Sequence, residues 1–246
     1  MVNNDIRQNF FSQLKEPFTG VLLFDQLSDI VFFIKNARGQ YIIVNQTLLK
    51  RLGFKSKAQV IGHRADELYP EPLGAEYRKQ DEEIISGDKP ILNQLELQLN
   101  NAGQKEWCLT TKVPLHGPNG EVVGLAGISR DLQIPDKKNK DFPLIAEALA
   151  HIKVNFAKSI KIQQLAEIAS LSVYQFEKRM QTIFNLTAGQ FIQKTRIDAS
   201  LWKLTNTEES IVNIALGCGY ADQSSFSRQF KQSVGISPAQ YRRLAK

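Results

Sequence analysis

The chain has 246 residues, 42% of them hydrophobic, and a formal net charge of +6. That length suits two modest domains. No apolar run approaches the roughly 18 residues needed to span a bilayer. Met1-Val-Asn-Asn-Asp-Ile-Arg also lacks the basic and apolar regions of a secretory leader, so a cytoplasmic protein with no membrane partner is expected. Cys108 and Cys218 fall in different halves of the chain. They read as reduced thiols, and neither has the His or Cys neighbours of a zinc site. Residues 1–132 hold 15 Lys/Arg against 16 Asp/Glu, whereas residues 141–246 hold 13 against 8. The basic excess is confined to the C-terminal side, as in a nucleic-acid reader attached to a neutral partner domain.

Residues 1–26 are expected as a helical extension. Asp29-Ile-Val-Phe-Phe-Ile34-Lys reads as a buried strand, Asn36-Ala-Arg-Gly39 as a turn and Gln40-Tyr-Ile-Ile-Val44 as a second strand. Asn45 caps the helix that runs toward Leu52. A long helix is expected over 74–86. Leu95, Leu97 and Leu99 alternate with Glu96 and Gln98, the pattern of a half-buried strand. Asn100-Asn-Ala-Gly103 turns the chain into another strand, where Trp107, Leu109 and Val113 share one face and Lys112 takes the other. Gly117-Pro-Asn-Gly120 makes the next turn, and residues 121–129 form the last strand.

Residues 133–141 are polar, charged and contain Pro135, and read as a linker. Beyond it the apolar spacing turns helical. Leu144, Ala148, Ile152 and Phe156 recur every four residues, with Ile145 and Leu149 beside them. The remainder contains a repeat. Ser172-Val-Tyr-Gln-Phe176-Glu-Lys-Arg-Met180 returns fifty residues later as Asp222-Gln-Ser-Ser-Phe226-Ser-Arg-Gln-Phe230, and Asn185-Leu-Thr187-Ala-Gly-Gln190-Phe191 as Gly235-Ile-Ser237-Pro-Ala-Gln240-Tyr241. Each copy reads as helix, tight turn, helix. Ser172 with Gln175, Thr187 with Gln190, and Ser237 with Gln240 are capping boxes, and Asp222 is a further cap. Phe176 and Met180, like Phe226 and Phe230, lie one turn apart and face the core. The outward faces then carry Tyr174, Glu177, Lys178 and Gln181 on one helix, and Gln223, Ser224, Ser227, Arg228 and Lys231 on the other. These side chains can hydrogen-bond base edges in the major groove. Residues 191–204 contain no breaker and read as a helix joining the two units.

From Leu144 to Arg243 the chain resembles the DNA-binding domain of AraC/XylS-type bacterial regulators. The diagnostic stretch is Ile214-Ala-Leu-Gly-Cys-Gly-Tyr220-Ala-Asp-Gln-Ser-Ser-Phe226-Ser-Arg228-Gln-Phe230-Lys, followed by Gly235-Ile-Ser-Pro238-Ala-Gln-Tyr241-Arg. The first unit departs from the family pattern at Lys161, Met180 and Asn185. Leu27 to Leu132 resembles a PAS domain through the paired strands ending in Val44-Asn45, the Trp107–Pro114 strand and Gly124-Leu-Ala-Gly-Ile-Ser-Arg130-Asp131-Leu132. The resulting expectation is an α+β chain. A PAS domain with a five-stranded antiparallel sheet occupies 27–132, and an all-α double helix-turn-helix domain occupies 142–246.

The resemblances imply a transcription regulator whose PAS domain senses a small molecule. The alternative is a DNA-binding regulator whose PAS domain only dimerises or docks a protein. Double-stranded DNA is the expected partner, with RNA polymerase and a second copy of the chain behind it. Haem is disfavoured because residues 74–86 hold no histidine and His63 reads as a surface residue. Flavin is disfavoured because the Asn-Cys-Arg setting of light sensors is missing. A small organic metabolite remains, in an apolar cup with Trp107, Leu109 and Val113 on one wall and Tyr77, Arg78 and Asp81 as polar contacts. A filled core is the competing reading. Catalysis is not expected: Cys108 has no activating base beside it in sequence, and Cys218 sits in a helix-turn-helix turn.

Overall fold

The computed structural model describes residues 10–15, 19–99, 105–132 and 141–245. The linker 133–140 and the Asn100–Gly103 turn lie outside these residues, as do 1–9 and 16–18 of the expected N-terminal extension. Within that extension, α1 spans Val21–Phe24.

The N-terminal half is built on an antiparallel sheet of order β2-β1-β5-β4-β3. Its strands are β1 (Ile30–Asn36), β2 (Tyr41–Val44), β3 (Ile91–Leu99), β4 (Lys105–His116) and β5 (Val122–Asp131). Three helices, α2 (Gln46–Leu52), α3 (Ala65–Leu68) and α4 (Leu73–Gly87), separate β2 from β3. Asn45 caps α2 as expected, its side chain accepting from the Leu48 amide. The same side chain also accepts from Phe32 N (3.0 Å) and donates to Phe24 O (3.0 Å) and Ile30 O (2.7 Å). One fully buried amide thus satisfies backbone groups of α1, β1 and α2 together.

The inner sheet face carries Val31, Phe33, Leu125 and Ile91 against Leu48, Leu49, Leu52 and Ile84. The outer face is covered as well. Phe32 stacks on Phe24 at 4.1 Å between ring centroids, and Leu95, Leu97, Trp107 and Leu109 lie against the C-terminal half.

The C-terminal half is helical: α5 (Phe142–Asn155), α6 (Ile162–Ile168), α7 (Val173–Phe184), α8 (Ala188–Asn206), α9 (Ile211–Gly217), α10 (Gln223–Val234) and α11 (Pro238–Ala245). Each helix-turn-helix unit has its own core. Phe176, Met180 and Leu165 belong to the first, and Phe226, Phe230 and Ile214 to the second. Helix α8 supplies Ala188 and Ile192 to the first core and Ile197, Leu201 and Leu204 to the second, which fixes one unit on the other. On α5 the buried stripe is Ile145, Ala148, Leu149 and Ile152. Leu144 and Phe156, expected on that stripe, are 46% exposed and half-buried respectively, because the helix is rotated toward Ile145.

The capping boxes at Ser172 and Thr187 form, Asp222 accepts from Ser225 N, and Gln240 N donates to Ser237. Asn185 takes the left-handed conformation after α7 (φ 56°) that Gly235 takes after α10 (φ 84°). Lys161 starts α6 with no side-chain cap.

Gly219 has φ +83°, and a Cβ there would stand 2.7 Å from Phe156 O. Gly219→Ala should therefore lower stability by more than about 1 kcal/mol. Gly189, in the first turn of α8, has only Thr187 Oγ1 nearby at 3.9 Å. Gly189→Ala should raise stability by about 0.4–1 kcal/mol. Urea unfolding midpoints of the two variants would move in opposite directions.

Candidate nucleic-acid interface and the interior of the N-terminal domain

The two candidate recognition helices are α7 and α10. Their starts are set by polar caps, and burial of the Phe176/Met180 and Phe226/Phe230 pairs sets which way each helix faces. On α7, Tyr174 is 74% exposed, and Lys178 and Gln181 are also exposed. Glu177 is half-buried, and its carboxylate accepts from Ala188 N at 3.0 Å, so it caps α8 rather than standing free. On α10, Gln223, Ser224 and Arg228 are exposed and Ser227 is half-buried. The Asp222 carboxyl is held below the usual range by hydrogen bonds from the first-turn Ser225. Lys231 is engaged elsewhere: its ammonium lies 2.6 Å from Glu76 on α4.

The interior of the N-terminal domain differs from the expected apolar cup. Trp107 and Leu109 do share a strand face, but that face points away from α2–α4 and onto the helical half. Trp107 Nε1 donates to Asp198 of α8 at 2.8 Å, and Lys194 Nζ stands 5.5 Å from its ring centroid. Val113, near the end of the strand, is 37% exposed. The three residues named as ligand wall are therefore outside the cup. Alternation groups residues by face, but both faces of this sheet are covered, so apolarity does not reveal which is inside.

The inside is polar. Lys35, in phase with Val31 and Phe33, and Lys112, in phase with Cys108 and Thr110, both reach Asp81 on α4. Lys112 Nζ lies 2.7 Å from Asp81 Oδ1, and Lys35 contacts Oδ2. All three residues are buried. Lys35 also lies 4.1 Å from the Tyr41 ring centroid. Burial pushes the Asp81 carboxyl up, but Lys112 and Lys35 outweigh it and hold the group below its ordinary value. Tyr69 and Tyr77 meet edge to face at 4.9 Å, and burial raises both phenols well above the ordinary value. Among these side chains remains a cavity of about 30 Å³, room for one or two waters.

Of the polar contacts expected for a ligand, Asp81 and Tyr77 line or support this interior. Arg78 instead faces solvent and pairs with Asp66 (3.0 Å) and Glu82 (2.7 Å). Lys35, Lys112 and Glu96 were not anticipated as site residues. Charged residues in phase with buried apolar ones on a strand were the available signal. His63 is exposed. Both thiols are buried and pushed up by that burial, Cys218 to about 11. A thiol so raised stays protonated at neutral pH and is a poor nucleophile.

A PAS fold family matches residues 24–136, and a helix-turn-helix domain family matches residues 165–244. The transcriptional activator RhaR of Mannheimia succiniciproducens is 24% identical over 162 residues, covering 66% of this chain and 56% of that protein. The melibiose operon regulatory protein of Escherichia coli K12 is 33% identical over 101 residues, covering 41% of this chain and 33% of that one. The chain thus spans about half or less of these relatives. A structure of the Vibrio cholerae VqmA dimer is similar at 19% identity and a TM-score of 0.41, over 74% of this chain and 88% of that one. The chain thus joins a PAS-fold domain to a helix-turn-helix domain. Among the described residues no helix is long and apolar enough to cross a membrane.

Asp81→Asn should destabilise the protein by about 3–5 kcal/mol, because it strands two buried ammonium groups. The Asp81 charge contributes fully above about pH 4 and is lost as pH falls through its lowered folded-state value. The stability gap between wild type and variant should therefore narrow in urea unfolding at pH 3 relative to pH 7.

Proposed function

We propose that this chain is a cytoplasmic transcription regulator that binds specific DNA through α7 and α10 and adjusts that binding to a signal read by its PAS domain. The observation that carries the reading is the duplicated helix-turn-helix pair, rigidly joined by α8 and fused to a sensor-type domain. Exposed Tyr174, Lys178 and Gln181 on one helix, and Gln223, Ser224 and Arg228 on the other, supply donors and acceptors for two successive major grooves. Double-stranded DNA is the partner. RNA polymerase and a second copy of the chain are its assembly partners in this reading, and its role is regulation rather than catalysis.

The signal in this reading is a small polar organic molecule that enters the Lys35–Asp81–Lys112 interior beside Tyr41, Tyr69 and Tyr77. Buried ammonium and phenol groups are suited to a ligand with hydrogen-bond acceptors. The small volume of that interior supports the second reading, in which the PAS domain assembles or docks without a ligand. Melting-temperature shifts across a metabolite library separate the two, since a ligand selective for the native state stabilises it.

Binding to duplex DNA should weaken linearly in log affinity with log salt, because bound phosphates release counterions. Arg228→Ala should cost about 1–3 kcal/mol and relax discrimination at one base position in a selection from random duplexes. A uniform loss at all positions, with a shallower salt slope, would make Arg228 a phosphate contact instead.

A further inference from the structure

The outward stripe of α10 does not run free along its whole length. Arg228 is followed three and four residues later by Lys231 and Gln232, which continue the same stripe one turn on. Both are bonded to the PAS domain. Lys231 Nζ lies 2.6 Å from Glu76 of α4, Gln232 Nε2 donates to Gln94 Oε1 of β3 at 3.3 Å, and Gln94 Nε2 donates to the Gln232 backbone carbonyl at 3.4 Å. Gln190 of α8 donates to Asn93 O of β3 at 3.0 Å. Leu97 of β3 and Leu73 of α4 are buried in the core of the second helix-turn-helix unit. β3 is the edge strand of its sheet, and α10 packs against it.

A helix with its side chains is about 10–12 Å across, and the major groove is about 12 Å wide. A helix seated in the groove leaves no room for a strand and a second helix on the same stripe. The ion pair adds a chemical competition. A Lys ammonium near the groove-facing stripe is a phosphate ligand, and here a carboxylate of the same chain occupies it.

We propose that Glu76 and the β3 edge form an intramolecular latch on α10, with Glu76 standing in for a DNA phosphate at Lys231, so that DNA engagement by the second unit requires this contact to open. The proposal rests on the DNA-binding reading above and names the regulation of that site. It makes the PAS–α10 contact a route by which the sensor reaches the reader.

The test uses the full chain and a mixed-sequence 40-base-pair duplex. Glu76→Gln removes the latch charge. Glu82→Gln, whose partner is the exposed Arg78, makes the same charge change on the same helix away from α10. Glu76→Gln should raise DNA affinity about two- to five-fold over Glu82→Gln, the size expected for one partly exposed ion pair. In wild type, saturating DNA should accelerate amide hydrogen exchange over residues 91–97, because the covered edge becomes open. Equal affinities for the two variants, with exchange over 91–97 unchanged or slowed by DNA, would overturn the latch. Absence of salt-dependent DNA binding in wild type and both variants would instead remove the DNA-binding reading, and the latch with it.

Discussion

The molecule is arranged around a sheet that is packed against other elements on both faces. An antiparallel sheet ordinarily leaves one face to water. Here Leu95, Leu97, Trp107 and Leu109 put a contiguous apolar surface on the side away from the PAS helices. Fully burying a leucine stabilises by roughly 1.5–3 kcal/mol, so this face must be covered, and the helix-turn-helix domain covers it. Leu95 and Leu109 enter the first unit's core, Leu97 enters the second, and Trp107 touches both. One strand face thereby sets the position of both helix-turn-helix units relative to the PAS domain.

The inner face follows the opposite chemistry. Lys35, Lys112 and Asp81 are buried as a charge-compensated group, with Glu96 accepting from Gln80 and Gln94. Buried ion groups are costly unless paired and hydrogen-bonded, and here Asp81 pairs with both ammonium groups while Lys112 also donates to Gln80. The group's members come from β1, β4 and α4, the helix that also carries Glu76. The Arg51 contact to Asp131 ties α2 to the end of β5, and Leu132 N donates to Trp107 O at 2.8 Å. The end of the last strand is thus bonded to the residue that packs on the helix-turn-helix half.

Local rules accounted for much of the architecture. The caps at Asn45, Ser172, Thr187 and Asp222 form because a side-chain oxygen three residues before an amide is sufficient, whatever surrounds it. The repeat located two cores because Phe176/Met180 and Phe226/Phe230 are large, apolar and one turn apart. Where neighbours on several elements decide the outcome, the local pattern was insufficient. Leu144 shows this on α5, Glu177 on α7 through its bond to the start of α8, and Lys231 on α10.

The sequence by itself determined the two domains, their order, the strand and helix boundaries to within a few residues, and the buried faces of α7 and α10. These follow from periodicity, capping chemistry and turn residues acting over short spans. Only the tertiary structure decided which face of β3 and β4 is the interior, and it reversed the intuitive answer. A period of two sorts side chains into two sets but assigns neither set to a partner. That assignment depends on which surfaces meet, and here the leucines met another domain while the lysines met a buried aspartate.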